Sequence, residues 1–478
     1  MNTKAFPVSL LLILHLAGCT LTPAFEKPQP PVSASFPRSG PAEPDSGSAA
    51  SIEWQSFFGD ERLKRLISTA LGNNRDLLLA IRRVEEARAL HGIRQADRFP
   101  EIDGSISGSR SRIPADLSLT QRDVISSQYQ AALGTSAWEL DFWGRLRSLE
   151  TAALESYLAT EEARSAVQAS VIKQVASSYL LAHEFNERID LAERTLKTRQ
   201  EAARIAQRRF EVGSAARLDA IQAEILLNQS RAELTVLNRL AEQNHNALEV
   251  LVAAPVPGEH RSLSSIEAGF VPNIAVGLPS GLLVQRPDIR AAERRLKAAN
   301  ANIGAARAAF FPRIALTGSL GLASSDLDRL FSGGQGAWSF LPSITLPLFD
   351  GGRNRANLDL AHARRNMAIA DYERNVQIAF REVADALADR HWLAEQIEAQ
   401  RASLDSQRER SRIAGLRYQY GAATYLEVLD AERDLFAGEQ ALVQTRSAYL
   451  ASSINLYTAL GGGGDIPGEA GTMKGWDR

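Results

Sequence analysis

Residues 292–314 read AERRLKAANANIGAARAAFFPRI, and residues 80–102 read AIRRVEEARALHGIRQADRFPEI. Both are helical runs that stop at Phe-Pro, because proline pushes the residue before it out of the helical region. Asp76 and Pro100 recur as Asp288 and Pro312, at an offset of 288 − 76 = 212. Further on, RRFEVGSAARLDAIQAE at 208–224 is echoed by LRYQYGAATYLEVLDAE at 416–432, at an offset of 421 − 213 = 208. Helix, strand and helix return in one order. The chain is therefore one duplicated architecture rather than two unrelated domains.

Each Phe-Pro opens a stretch with a period of two. Ile102, Gly104, Ile106 and Gly108 alternate with Asp103, Ser105, Ser107 and Ser109. YQAALGTSAWEL at 129–140 alternates less clearly. In the second repeat, Ile314, Leu316, Gly318, Leu320 and Leu322 alternate with small and polar residues, as do Trp338, Phe340, Ile344, Leu346 and Leu348. This pattern predicts strands with one apolar and one polar face. Each repeat holds one hairpin, with strands at about 101–112 and 128–140, then 313–323 and 337–349.

Each hairpin is followed by Gly-Arg-x-Arg, as Gly144, Arg145 and Arg147 and again as Gly352, Arg353 and Arg355. These residues sit where strand gives way to helix, suited either to pairing with carboxylates or headgroups there or simply to starting the helix. No Pro or Gly interrupts 145–211. At 1.5 Å per residue such a run spans roughly 100 Å. Helices are expected at 145–211 and 218–252, and at 353–420 and 424–460, with coiled-coil spacing along the return helices. Gly213 with Ser214, and Gly421 with Ala422, break the two long runs at matching points and supply the turns. An earlier helical pattern runs from near Asp60 to about Arg98. The repeats thus occupy 51–254 and 280–460, and the Gly-rich end, 461–478, reads as a flexible tail.

The N-terminus is a secretory signal over 1–18: Lys4, an apolar run at Val8–Leu14, then Leu16-Ala17-Gly18-Cys19. That tetrapeptide resembles the bacterial lipobox, whose cysteine carries the covalent lipid. Cys19 is the one cysteine in the chain, so no internal disulfide forms. Thr20 stands where Asp would mark inner-membrane retention, which points to the outer membrane. Residues 19–50, with Pro23, Pro28, Pro30, Pro31, Pro37, Pro41 and Pro44, read as an extended tether.

The net charge of −2 gives no reason to expect nucleic acid. No His-x-x-x-His pair, soft-metal cluster, nucleophile elbow or phosphate loop is present, so neither a metal site nor an enzyme is expected. Four amphipathic strands instead pose a closure problem. Open strand edges in lipid cost several kcal/mol per unsatisfied group, and the smallest usual barrel has eight strands. If these are membrane strands, rather than soluble hairpins packed on a helix, other copies must complete the barrel, and three would give twelve strands.

The stretch LLVQRPDIRAAERRLKAANANIGAARAAFFPRIALTGSLG at 282–321 resembles the signature of the TolC-like outer-membrane factor family. Phe349-Asp350-Gly351-Gly352-Arg353 and Tyr418-x-x-Gly421 match as well, and the lipobox is similar to that of its OprM- and NodT-type multidrug efflux subgroup. The resemblance implies an α+β membrane protein of a Gram-negative outer membrane. It implies a homotrimer with a 12-stranded β-barrel continuous with a periplasmic α-helical barrel, serving a periplasmic adaptor protein and an inner-membrane pump of the proton-driven RND type. The cargo would be drugs or other small molecules. Protein secretion or metal-ion efflux are alternatives within the class, and a non-pore lipid-anchored scaffold is an alternative outside it. By the same resemblance Glu427 and Asp430 line the periplasmic gate, with Asp434 continuing that face, and Tyr418 matches an aromatic that helps hold the closed state. The tip turns would meet the adaptor. A basic residue two positions after the tip glycine in the family's best-known member is Ala423 here, so the closed-state network must differ. The first repeat has Asp219 and Gln222 where the second has Glu427 and Asp430, so an acidic constriction would come mainly from the second.

Overall fold

The computed structural model describes residues 20–33, 35–36, 52–119, 121–258, 261–267, 270, 281 and 284–464. The signal segment, Cys19 and residues 465–478 lie outside the described residues. In order come α1 (Glu61–Asn73), α2 (Arg75–Ala96), β1 (Asp103–Ile113), β2 (Val124–Leu140), α3 (Arg145–Glu211) and α4 (Arg217–Val252). The second half supplies α5 (Pro287–Ala308), β3 (Arg313–Ser324), β4 (Gly336–Thr345), α6 (Arg353–Gln419) and α7 (Tyr425–Ala459). Both α3 and α6 are 67 residues long. No helix among the described residues is long and apolar enough to cross a membrane.

The helical pattern expected from Asp60 to Arg98 is divided at Asn74, which has an extended ψ of 130°. Its Oδ1 accepts from the N–H groups of Asp76 and Leu77, both at 3.0 Å, and its Nδ2 donates to Leu251 O at 2.8 Å. An N-capping asparagine satisfies two orphan donors and starts α2 afresh.

Contacts divide the chain into two compact units. One gathers Met1–Gln29, Arg83–Thr160 and Ala292–Tyr372, and the other Pro30–Arg82, Glu161–Ala291 and Glu373–Arg478. Each draws matching segments from both repeats.

The first unit holds a four-stranded antiparallel sheet in the order β1-β2-β3-β4. Its register sorts the residues by face. Leu133 lies opposite Gly104 on one side and Leu320 on the other, while Trp338 lies opposite Leu320 and Ile344 opposite Ile314. On the other face Ser105, Ala132 and Gly321 align, and Ser319 and Ser339 share a hydroxyl–hydroxyl bond of 2.7 Å. The apolar face is exposed in the single chain: Ile106 is 80% accessible and Trp338 77%.

The weak alternation of β2 has a local cause. One extra residue is inserted between Thr135 and Trp138. Ala137 takes up the bulge at φ 54°, and its N–H donates to Thr317 Oγ1 at 3.0 Å. A bulge reverses which face later residues occupy. It keeps Trp138 opposite Leu316 on the apolar face and turns Glu139 to the polar one, opposite Ala315. At the other edge β4 ends at Thr345 rather than near 349. Pro347 has no N–H to extend a ladder.

The described part of the Pro-rich tether is held against α5. The segment has no helix or strand of its own to take up its carbonyls, and side chains of α5 bond two of them. Arg307 Nη1 donates to Leu21 O at 3.3 Å and Asn300 Nδ2 to Pro23 O at 2.8 Å. Thr22 Oγ1 lies 3.1 Å from Ser148 Oγ, and Lys27 Nζ donates to Glu293 Oε2 at 2.7 Å. Gly304 makes room, since a Cβ there would stand 2.1 Å from Thr22 Oγ1.

The second unit has an aromatic core in which Phe57 stacks on Tyr457 with centroids 4.0 Å apart, beside Phe58 and Phe270. Arg286 of the Gln-Arg-Pro-Asp motif is buried here. It donates to Asp288 at 2.6 and 3.0 Å, to Glu382 at 2.7 Å and to Ala459 O at 3.0 Å. Of the expected tail, Gly461, Gly462 and Gly463 are buried, and 465–478 lie outside the described residues. Gly461, at φ 96°, turns the chain against Gln285.

Candidate functional site

Both long helices end in the same way. Gly213 has φ 73°, its N–H donates to Phe210 O at 2.9 Å, and the Ser214 N–H donates to Arg209 O at 2.8 Å. Gly421 has φ 71°, its N–H donates to Tyr418 O at 3.0 Å, and the Ala422 N–H donates to Arg417 O at 2.8 Å. The paired three- and five-residue bonds are Schellman caps, which place glycine in the left-handed position and satisfy the last carbonyls. Arg209 and Arg417 hold equivalent places four residues before each glycine. Their side chains do different work.

Arg209 crosses from the first repeat to the second. Its Nη1 donates to the Tyr418 hydroxyl, and its guanidinium lies 5.3 Å from the Tyr418 ring centroid. Tyr418 in turn lies 5.0 Å from the Tyr425 ring, and both pack on Ala414, Val428 and Ala431. Burial, reinforced by nearby Glu432, Tyr418 and Asp219, pushes the Tyr425 phenol up to about 12. Tyr425 is therefore a neutral packing group at any physiological pH.

Arg417 turns to its own repeat. Its Nη1 donates to Glu427 Oε2 at 2.9 Å and its Nη2 to Ala422 O at 3.1 Å. Thr424-x-x-Glu427 has the sequence of a capping box, yet the Thr424 side chain makes no capping bond. Arg417 holds the Glu427 carboxylate instead. Arg433 lies 3.1 Å from Asp430 and 3.2 Å from Asp434, and Arg410 lies 2.7 Å from Asp434. The Arg410 hydrogen bond, helped by Arg433 against a small burial effect, holds Asp434 below the usual carboxylate range. Glu427 and Asp430 line one groove together with Arg410 and Arg417. The structure thus brings the four expected gate residues onto one tip, and adds arginines that the acidic pattern had not suggested.

Deeper on α3, Arg199 is buried. Its Nη1 donates to Ser230 Oγ at 2.6 Å and Leu226 O at 3.3 Å on α4, and its guanidinium lies 5.4 Å from the Phe436 ring of α7. Burial lowers its pKa against the pull of Glu432.

The Gly-Arg-x-Arg motifs lie at helix starts in the first unit. Gly144 has φ 70° and Gly352 φ 88°. Arg145 makes a two-point bond to Glu139, at 2.8 and 2.7 Å, and Arg313 joins the same carboxylate at 2.7 Å. Here the bulge in β2 matters, because it delivers Glu139 to that face. Asp141 accepts from the N–H groups of Leu146 and Arg147 at 3.0 and 2.8 Å. Asp350 accepts from Gly352 and Asn354 at 2.9 and 2.8 Å. Arg355 meets Asp359 at 3.5 Å, an exposed pair of small worth. For Arg353 the contact found is a long backbone bond to Asp350 O at 3.4 Å. From sequence alone neither aspartate is given a helix-starting role, although Asp350 lies in the quoted motif and each sits three or four residues before the first arginine.

The profile of the outer membrane efflux protein family matches residues 66–254 and 278–462. The chain belongs to the outer membrane efflux protein family. Its two matched segments are the two repeats. The solvent efflux pump outer membrane protein SrpC of Pseudomonas putida is 44% identical to it over 98% of this chain and 99% of that protein. The outer membrane protein OprJ of Pseudomonas aeruginosa is 43% identical over 97% of each. Among solved structures, the open state of the Neisseria gonorrhoeae MtrE outer membrane channel superposes with a TM-score of 0.83. It is 38% identical over 93% of this chain and 98% of that one. This outer membrane efflux protein is accordingly a channel component of the outer membrane, helix-rich with one four-stranded sheet.

Proposed function

We propose that three copies assemble into one conduit, with a 12-stranded barrel in the outer membrane and a helical barrel in the periplasm. The carrying observation is the sheet itself. It presents an exposed apolar face, and β1 and β4 are each paired on one side only. Unpaired edges are untenable in lipid, and twelve strands close the ring with a face of Ser, Gly and Ala toward water. In this reading Cys19 carries the lipid. The turns at Gly213, Ser214, Gly421 and Ala422 meet a periplasmic adaptor, and an RND-type inner-membrane pump delivers the cargo. The channel performs no catalysis. Its substrates are drugs or other small molecules, of the kind named for its relatives, which include toluene, solvent and antibiotic efflux proteins.

Glu427, Asp430 and Asp434 form the periplasmic gate in this reading, with Tyr418 latched by Arg209 to keep the tip shut. Rings of carboxylates and their counter-charges constrict a pore and set its selectivity. The double variant Glu427→Ala, Asp430→Ala is expected to raise single-channel conductance in planar bilayers. Unchanged currents would remove these residues from the gate.

A further inference from the structure

We propose that Arg417 and Arg410 determine charge specificity at the periplasmic entrance, compensating its carboxylates so that neutral and zwitterionic solutes pass with little discrimination by charge. The inference rests on the gate reading above. It goes beyond that reading because carboxylates alone would make a strongly cation-selecting ring.

Three carboxylates of the tip are each met by a guanidinium of the same chain. Arg417 holds Glu427 at 2.9 Å, Arg410 holds Asp434 at 2.7 Å, and Arg433 lies between Asp430 and Asp434 at 3.1 and 3.2 Å. Arg410 and Arg417 line the same groove as Glu427 and Asp430. Arg417 is also fixed at both ends of its reach. Its carbonyl closes the Schellman cap with Ala422 N–H, and its Nη2 donates back to Ala422 O. It is thus part of the turn rather than a loose surface cation. The arginine at the equivalent place in the first repeat, Arg209, is committed to Tyr418. The gate carboxylates are therefore compensated from within the second repeat, by Arg410, Arg417 and Arg433.

The physics is one of range. A ring of like charges projects a field across a narrow opening and draws in counter-ions. A carboxylate and guanidinium about 3 Å apart leave only a dipole, whose field decays well inside the Debye length of roughly 8 Å at physiological salt. Removing the cationic half should uncover the ring, and removing the anionic half should reverse it.

The test uses the full-length protein in planar bilayers, with the K⁺/Cl⁻ permeability ratio read from the reversal potential in a KCl gradient. Arg417→Gln should raise the ratio severalfold over wild type, Glu427→Gln should lower it, and the double variant should return toward wild type. Arg417→Lys keeps the charge without the two-point bond and should hold near the wild-type ratio. It serves as the folding control, alongside trimer resistance to heat in detergent. A ratio moved by Glu427→Gln but untouched by Arg417→Gln overturns the compensation while leaving the gate in place. A ratio moved by neither overturns the gate position and the compensation together.

Discussion

Asp60 concentrates four hydrogen bonds on one carboxylate. The N–H groups of Arg62 and Leu63 donate at 2.8 and 2.9 Å, the Tyr179 hydroxyl at 3.1 Å and Arg261 Nη1 at 3.3 Å. Burial alone would raise its pKa, but these donors outweigh it and hold the group below the ordinary carboxylate range. A depressed value means stability that is present above the unfolded pKa, near 3.9, and lost as pH falls through the folded one. Asp60→Ala should therefore cost about 2 kcal/mol at pH 7, and the gap to wild type should shrink toward pH 3 in thermal melts. A gap independent of pH would place the loss elsewhere. At this scale the sequence was uneven as a guide. Gly213 and Gly421 were legible because only glycine takes a left-handed cap readily. Glu427, Asp430 and Tyr418 are proposed through family likeness, and the Glu427 and Asp430 variants described above test the gate. Arg209 and Arg417 were not legible, because an arginine on a helix full of charges carries no signal until its partner is known. Their equivalence under the 208-residue offset was the available clue.

Elements were legible where periodicity was unbroken. The long helices and β3 follow their apolar spacing, since nothing interrupts the ladder. β2 declared itself only weakly, because the bulge at Ala137 shifts its phase between Thr135 and Trp138. The docking of the Pro-rich segment was not legible for a different reason. Composition reports stiffness and solvation, whereas the docking of residues 21–27 depends on carbonyl acceptors and on the space left by Gly304. Deleting Ala137 should turn Glu139 to the apolar face and part it from Arg145 and Arg313. A charge on a lipid face costs up to ~2–4 kcal/mol depending on depth. Heat-resistant trimers in outer-membrane fractions should then be lost, while Ala137→Gly, which suits the positive φ, should keep them. Wild-type assembly of the deletion would mean that the bulge does not set the faces.

For the molecule as a whole, the duplication explains why one chain contributes two hairpins and two helical pairs, and why it is chemically asymmetric at the tips. The halves agree where the proposed tube would be built, at Phe-Pro, at Gly-Arg-x-Arg and at the tip glycines. They differ at the proposed gate, with Asp219 and Gln222 set against Glu427 and Asp430. The same logic requires that β4 of one copy pair with β1 of the next. Cysteine pairs scanned along β1 and β4, oxidised in intact outer membranes, test that closure most directly. The account predicts covalent trimers with no larger species. Monomers alone at every register, or a ladder running past three, would contradict it.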